Sequence, residues 1–354
     1  MKEEIIKTLK VLLKYQTVKE NKKEFEELFC YIKQKLNKDL YIEEYKFNDN
    51  QSLVVSNTPE KELDIIFCVH VDVVPIDDYS YQEDEENIYG RGTVDMKGSV
   101  AVCIEMMNHL KTSKKVALFI TSDEEQDGNC AYQLLKIYHS KLAIVPDGGT
   151  SFQLIKEEKG LLQLELSIKT KSAHSSQPFN GENAITKLIE IYQKLIEKYP
   201  LPANVNDYKT SINLSKIIGG KAFNQVPDEA KMSLDIRHIA KDKKEDFIKE
   251  IQSINKKVDI KVILEGNVFE TDLNNKEIKR YINICEEILK KKIEIVGCES
   301  TSDAIYFCEK KIPTIIMNPI GYYAHCDNEY VNKDSLEKLY EIYIKFIEEG
   351  EENE

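Results

Sequence analysis

The chain has 354 residues, of which 42% are hydrophobic, and it carries a formal net charge of −13. This acidic balance argues against nucleic acid as the main partner, because phosphate binding needs a basic face. No apolar run approaches the roughly 20 residues that a membrane span requires. The first stretch, MKEEIIKTLKVLLKYQ, is amphipathic, so we expect a helix with Ile5, Leu9, Leu12 and Leu13 on one face.

The amino-terminal stretch also lacks the apolar region and cleavage site of a signal peptide. None of the eight cysteines forms a C-x-x-C pair, which argues against a structural zinc finger or a thioredoxin-type motif. Reduced thiols and a cytoplasmic location fit these features. The length is about right for two domains.

Apolar runs of strand length recur along the chain, and helical patterns lie between them. The predicted strands are 63–69, 116–121, 142–145, 293–296 and 312–317. The predicted helices are 96–111, 129–139, 276–292, 300–310 and 334–348. Strands that alternate with helices predict an α/β domain, with a mainly parallel sheet covered by helices on both faces.

The middle of the chain has a different pattern. LLQLELSIKTK, at 161–171, alternates apolar and polar residues as a half-exposed strand does. A helix, two strands, a second helix and a last strand follow, which is the β-α-β-β-α-β order of a ferredoxin-like α+β domain. We therefore predict that 161–265 form a small domain inserted into a larger one formed by 1–160 and 266–354.

Imidazole and carboxylate side chains occur at five places in the predicted large domain, and four of the five follow a predicted strand. They are His70 with Asp72, Asp95, Glu124 with Glu125, Asp147 and His325. Sites in such sheets form at the carboxyl edge of the strands, so these groups are expected to converge. Each alone has a structural alternative: the histidines as structural residues near an apolar strand, Asp95 as a helix N-cap, Asp147 as a turn residue, and the glutamates as a solvated loop.

So many anionic groups at one edge would repel one another unless a cation held them together. Histidine and carboxylate ligands without thiolate suit Zn²⁺, with Co²⁺ or Mn²⁺ as alternatives. Two ions fit the count better than one. Asp95 has two oxygens and could bridge them, which leaves two terminal ligands for each ion among His70, Glu125, Asp147 and His325.

Two carboxylates remain outside this ligand set. Asp72 stands two residues beyond His70, so it can accept the other ring N–H and orient the imidazole. Glu124 adjoins a ligand and is placed to take a proton from a metal-bound water as a general base.

Seven motifs occur in an order that resembles a known family. They are HVDVVP, GRGTVDMKGS, TSDEEQDG, SAHSSQPFNGENAI, GGKAFNQVPDEAKMSLDIRH, TSDAIYF and GYYAHCDNEYV. The chain, from about residue 60 onward, resembles the di-zinc metallopeptidase family of aminoacylase, acetylornithine deacetylase, succinyl-diaminopimelate desuccinylase and glutamate carboxypeptidase. The resemblance implies that His70 and Asp147 hold one zinc and that Glu125 and His325 hold the other, with Asp95 bridging.

The resemblance also assigns residues of the inserted domain, which it implies is a lid and a homodimerisation surface. His174 would polarise the scissile carbonyl, from its own or the partner subunit. Arg237 would pair with a substrate carboxylate, and Asn224 would reach the substrate or the oxyanion. The alternatives are a loop cap for His174, a charge balance for Asp235 by Arg237, and a turn at Asn224.

The chain departs from the family pattern at several positions. Asp147 stands where many members carry Glu, a form seen in dipeptidase-like and peptidase branches. Tyr306 stands where some members carry Arg, and this second departure weakens the case for an acidic substrate. Asn129 and Cys130 replace an expected glycine. The chain has no tryptophan, although one often follows the first motif in relatives.

The expected activity is zinc-dependent hydrolysis of an amide bond in a small carboxylate-bearing substrate, through a metal-bridging water and the general base Glu124. The substrate would be a dipeptide, a short peptide or an N-acylated amino acid. The alternatives are a deacylase or desuccinylase rather than a dipeptidase, an amidase on non-peptide amides, and a catalytically silent binding protein.

Overall fold

A computed structural model describes residues 1–126, 128–204 and 207–349, and it divides the chain into two compact units. Unit 1 comprises Met1–Lys156, Thr271–Val296 and the chain from Ser302 onward. Unit 2 comprises Glu157–Glu270 and Gly297–Thr301. The sequence placed the boundaries at 160/161 and 265/266, and it did not anticipate that 297–301 join the smaller unit.

The described residues form helices and strands whose bounds follow. The helices are α1 Lys2–Leu12, α2 Lys22–Lys35, α3 Gly98–His109, α4 Cys130–Leu134, α5 Ala184–Lys198, α6 Lys244–Ile254, α7 Lys276–Leu289, α8 Ala304–Glu309 and α9 Lys333–Glu348. The strands are β1 Tyr41–Phe47, β2 Asn50–Ser56, β3 Glu62–His70, β4 Gln82–Glu83, β5 Asn87–Tyr89, β6 Val116–Thr121, β7 His139–Val145, β8 Leu154–Glu158, β9 Gly160–Lys169, β10 Ala173–His174, β11 Ser211–Gly219, β12 Gln225–Val226, β13 Glu229–His238, β14 Asp259–Gly266, β15 Phe269–Glu270, β16 Ile295–Cys298, β17 Thr314–Ile316, β18 Gly321–Tyr322 and β19 Tyr330–Asn332. In the part of the chain so described, no helix combines the length and the apolar character needed to cross a membrane.

Unit 1 is built on a mixed sheet with the strand order β1-β2-β6-β3-β7-β17-β8. The central neighbours β6, β3, β7 and β17 run parallel, whereas β1, β2 and β8 pair antiparallel. The expectation of a mainly parallel sheet therefore holds for its centre and fails at both sides. All of β6 and most of β3 are buried, which explains why these strands are continuous apolar runs.

Helices cover both faces of this sheet. Phe67 of β3 packs against Tyr343 of α9, with ring centroids 4.9 Å apart. Phe119 of β6 packs against Phe307 of α8 at 6.4 Å. Phe67 stands opposite Leu118 in the register, and side chains alternate along a strand, so Phe119 points to the other face.

The predicted amino-terminal helix is confirmed as α1. Its apolar face, with Ile5, Leu9 and Leu12, is completely buried against α3 and α9. The helix predicted at 129–139 is wrong over its second half, because α4 ends at Leu134. The chain then turns so that the His139 N–H reaches the Lys61 carbonyl at 2.9 Å and β7 begins.

Unit 2 has the predicted β-α-β-β-α-β order. Its sheet, β11-β13-β9-β14, is antiparallel throughout. Along β9, Leu162, Leu164 and Leu166 are buried, and the residues between them are partly exposed. The buried face packs against Phe247 of α6 and the apolar side of α5. The role of this unit as a lid and a dimerisation surface stays a prediction.

Candidate metal centre

Five side chains reach one edge of the unit 1 sheet from five segments. His70 is the last residue of β3, and Asp147 follows β7. Glu125 lies in a single helical turn, Glu124–Gln126, just after β6. Asp95 lies in the turn before α3, and His325 lies in the loop between β18 and β19. Since β3, β6 and β7 are parallel neighbours, their carboxyl ends meet there.

These side chains form two groups that share Asp95. One group is His70, Asp95 and Asp147, the other is Asp95, Glu125 and His325, and within each the potential ligand atoms lie within 4.8 Å of one another. Asp95 Oδ1 is 3.1 Å from His70 Nε2, and Asp95 Oδ2 is 3.1 Å from His325 Nε2. Each oxygen of one carboxylate thus faces a different histidine.

Glu125 and Asp147 complete the two groups, each facing the histidine of its own group. His325 Nε2 lies 2.9 Å from Glu125 Oε1, and His70 Nε2 lies 3.8 Å from Asp147 Oδ2. The groups differ in depth, because the His70 side chain is 2% exposed whereas that of His325 is 52% exposed. The His70 end of the site is therefore more deeply buried than the His325 end, which opens to solvent.

Asp72 is completely buried and has wider contacts than the sequence suggested. His70 Nδ1 is 3.0 Å from the Asp72 backbone carbonyl and 3.5 Å from its carboxylate. The carboxylate also accepts the backbone N–H groups of Glu124, at 3.3 Å, and Glu125, at 2.9 Å. Asp72 therefore orients both the histidine ring and the turn that carries the two glutamates.

Glu124 belongs to neither of the two groups, and its pKa is raised. Burial, followed by repulsion from the Asp147 carboxylate, raises the pKa of Glu124 well above its usual range. A carboxylate in this state takes up a proton more readily than an exposed one, which is the property that a general base needs.

Two acidic residues that the sequence analysis did not assign also lie in this region. Asp303 is buried and accepts the Thr121 hydroxyl at 3.3 Å. Burial and the Asp123 charge raise its pKa to about 7. Glu329 is fully buried and accepts backbone N–H groups of the turn that carries Asp95. Both lie inside quoted motifs, TSDAIYF and GYYAHCDNEYV, which is the signal by which they could have been found.

The remaining predicted residues belong to unit 2. His174 stands opposite Gln225 in the β10–β12 pair, and the Asn224 carbonyl accepts the Ser175 N–H at 3.0 Å, so His174 and Asn224 are neighbours. Arg237 lies on β13, where its Nε donates to Asp235 at 3.0 Å. This ion pair is the alternative that the sequence left open for Arg237.

A sequence model described as peptidase family M20/M25/M40 matches residues 66–349. The chain belongs to this peptidase family. Among curated relatives, the LysW-lysine/LysW-ornithine hydrolase of Saccharolobus solfataricus is 29% identical over 328 residues, which cover 89% of this chain and 88% of that protein.

Solved structures share the same fold. Aminopeptidase PepT from Bacillus cereus superposes with a TM-score of 0.77 at 18% identity, over 99% of this chain and 98% of that one. The M20 family metallo-carboxypeptidase Sso-CP2 from Sulfolobus solfataricus gives 0.73 at 18% identity, over 97% of this chain and 98% of that one. The predicted family and α/β fold class are thus confirmed.

As an M20 peptidase family member the protein is a hydrolase, and the family implies a divalent metal, typically zinc. The residues present fit such an ion. Each group of ligand atoms offers imidazole nitrogen and carboxylate oxygen, without thiolate, within reach of a common point.

Three of these side chains, His70, Asp147 and His325, have pKa values that favour their protonated forms when no ion is bound. Hydrogen bonds with Asp95 and Glu125 raise the pKa of His325 to about 10. Burial and the Asp95 charge raise the pKa of Asp147 to about 8. Burial lowers the pKa of His70, but Asp72 and Asp95 outweigh it and raise that pKa well above its usual range. At neutral pH, protons therefore balance the carboxylates.

Metal binding should release these protons, because a ligand must be deprotonated to bind. Asp147 keeps its proton below about pH 8 and His325 keeps its proton below about pH 10, so affinity should rise as the pH is raised from 6 to 9. Calorimetric titration of the metal-free protein with Zn²⁺, in buffers of different ionisation enthalpy, measures the release. An affinity independent of pH, with no proton released, would contradict this interpretation.

Proposed function

We propose that the protein is a di-zinc hydrolase that cleaves an amide bond, peptide or N-acyl, in a small substrate bearing a carboxylate. The observation that carries this proposal is the division of the Asp95 oxygens between His70 and His325. In this proposal His70 and Asp147 hold one ion and Glu125 and His325 hold the other. Co²⁺ and Mn²⁺ are the alternative metals.

A divalent metal supplies a Lewis acid that polarises the carbonyl and makes water more acidic. The chain supplies the proton transfer. Glu124 takes the proton of the attacking water and then gives it to the leaving amine nitrogen. Its burial, the largest cause of its raised pKa, favours the protonated form between the two steps.

Unit 2 supplies the residues proposed to bind substrate. His174 Nδ1 accepts the Ser176 N–H at 3.2 Å, so in the neutral ring the proton lies on Nε2. That N–H is the donor proposed for the substrate carbonyl, from its own or a partner subunit in a homodimer. Arg237 is proposed to bind the substrate carboxylate, and Asn224 is proposed to reach the substrate or the oxyanion.

A second candidate is a deacylase that releases a basic amino acid. A cavity of about 640 Å³ in unit 1 is lined by Asp77, Asp78 and Asp327 together with Arg91. Arg91 is already paired with Glu329 at 2.8 Å, so the aspartates leave the cavity negative and suited to an ammonium group. The relative named LysW-lysine/LysW-ornithine hydrolase supports this candidate.

The metal content of ligand variants distinguishes a terminal ligand from the proposed bridging ligand Asp95. The wild-type protein should hold about two zinc ions per chain. Asp147→Asn and His325→Ala should each lose about one, whereas Asp95→Asn should lose both because its carboxylate serves both groups. Elemental analysis after equilibrium dialysis measures this. Equal losses from Asp147→Asn and Asp95→Asn would rule out a bridging Asp95.

Variants of the adjacent residues Glu124 and Glu125 distinguish the proposed general base from a proposed metal ligand. Glu124→Gln should keep its zinc and lower kcat by about 10²- to 10⁴-fold, because the amide cannot take the proton. Glu125→Gln, the matched control, should lose zinc. Steady-state rates and metal content on the same preparations provide the measurement. Full turnover in Glu124→Gln would show that the base has been misassigned.

A substrate panel tests the carboxylate requirement and the second candidate. It combines dipeptides with N-acetyl and N-succinyl amino acids, each with a free and an amidated carboxyl group and with acidic, neutral or basic side chains. Arg237→Ala should raise KM for the free acids and leave the amidated forms unchanged. Preference for lysine and ornithine derivatives, reduced in Asp327→Asn, would support the deacylase.

The results of that panel also test the alternatives to the proposed function. Activity indifferent to the carboxyl group would remove the role proposed for Arg237. No hydrolysis of any member by fully zinc-loaded protein would favour the silent binding protein.

A further inference from the structure

Glu329 is a buried carboxylate whose two oxygens are both occupied by donors. Its side chain is 1% exposed. Oε2 accepts Arg91 Nη1 at 2.8 Å and the Gly92 N–H at 3.0 Å. Oε1 accepts the Val94 N–H at 3.0 Å and the Asp95 N–H at 3.2 Å. One side chain thus binds three backbone N–H groups within four consecutive residues.

These contacts define the path of the turn that presents Asp95. Gly92 adopts φ +81°, and a Cβ there would lie 2.8 Å from Val73 Cγ1, so the backbone is closely packed. Three N–H groups converge on the carboxylate in this turn. Without an anion between them they would be buried with no acceptor, and the turn would relax.

The same residue joins this turn to the loop of His325. Glu329 lies four residues after His325, and its own carbonyl accepts the Gly90 N–H at 2.9 Å. Arg91 Nη1 also lies 3.4 Å from the Cys326 carbonyl. The two segments that carry Asp95 and His325 are therefore held together by Glu329 and its guanidinium partner.

We propose that Glu329 is a positioning residue that directs the Asp95 carboxylate so that one oxygen serves each ion. This inference rests on the proposed function, in which Asp95 bridges. Glu329 acts through the backbone of the turn, so it affects both ions together. A residue that supported only one group would affect only one.

The test is metal titration of Glu329→Gln. The amide keeps the shape but loses the charge, and its NH₂ faces a backbone N–H. Competition of the metal-free protein with a chromophoric chelator for Zn²⁺ should show both affinities lowered by about 10- to 100-fold. The absorption spectrum of the Co²⁺-loaded variant should change as well. Glu85→Gln, an exposed carboxylate on the same unit, is the matched control and should change neither.

A second variant and a folding measurement keep the test decisive. Glu329→Asp keeps the charge on a shorter side chain and should restore part of the affinity. The far-ultraviolet circular dichroism of each metal-free variant reports whether it is folded. If Glu329→Gln is not folded, the titration is made on Glu329→Asp, which should show a smaller decrease in Zn²⁺ affinity at both sites.

The outcomes distinguish the two proposals. Wild-type protein that binds fewer than two ions would overturn the proposed function, and this inference with it. Two ions in wild type, with unchanged affinities in the folded Glu329 variant or loss at only one ion, would overturn the role of Glu329 alone.

Discussion

The candidate metal centre depends on one carboxylate, that of Asp95, which is shared by the two groups of ligands. Asp95 faces His70 through one oxygen and His325 through the other, at 3.1 Å each. Hydrogen bonds from both imidazoles outweigh burial and hold the pKa of Asp95 below its usual range, so it remains an anion. Asp147 and Glu125 add negative charge at the same edge. Such a cluster needs positive charge, and protons or cations are the two ways to provide it.

A surrounding set of contacts keeps this cluster in place. Asp72 receives the backbone N–H groups of Glu124 and Glu125, and Glu329 does the same for the turn of Asp95. In both cases a buried carboxylate binds backbone N–H groups, and the Asp72 carboxylate also lies 3.5 Å from the ring of the ligand His70. The ligands are thus directed by the loops that carry them, which are themselves held by charge-assisted hydrogen bonds.

Much of this arrangement could be predicted from the sequence, for definite physical reasons. A parallel sheet brings strand ends together, so His70, Glu125 and Asp147 could be grouped from the apolar runs that precede them. The alternation along β9 likewise predicted the small unit. Other features depend on contacts between distant segments. The antiparallel sides of the large sheet and the early end of α4 are set by tertiary pairing that local patterns do not record.

The role of Glu329 within the site was also hard to predict from local sequence patterns. Its place four residues after His325 is visible in the sequence, but three of its four donors are main-chain N–H groups, which every residue except proline possesses. Residue type therefore carries no signal of the partner. Arg237 is the opposite case, since its pairing with Asp235 on the same strand was among the alternatives that the sequence offered.

The unequal depth of the two histidines bears on exchange with the surroundings. A chelator in solution can approach the half-exposed ring of His325 directly, whereas the His70 side chain is only 2% exposed. In the proposed centre the two ions would therefore leave at different rates, the outer one first. A preparation stripped briefly would hold mixed occupancy, and supplying a different metal afterwards would yield a heteronuclear enzyme with the original ion retained inside.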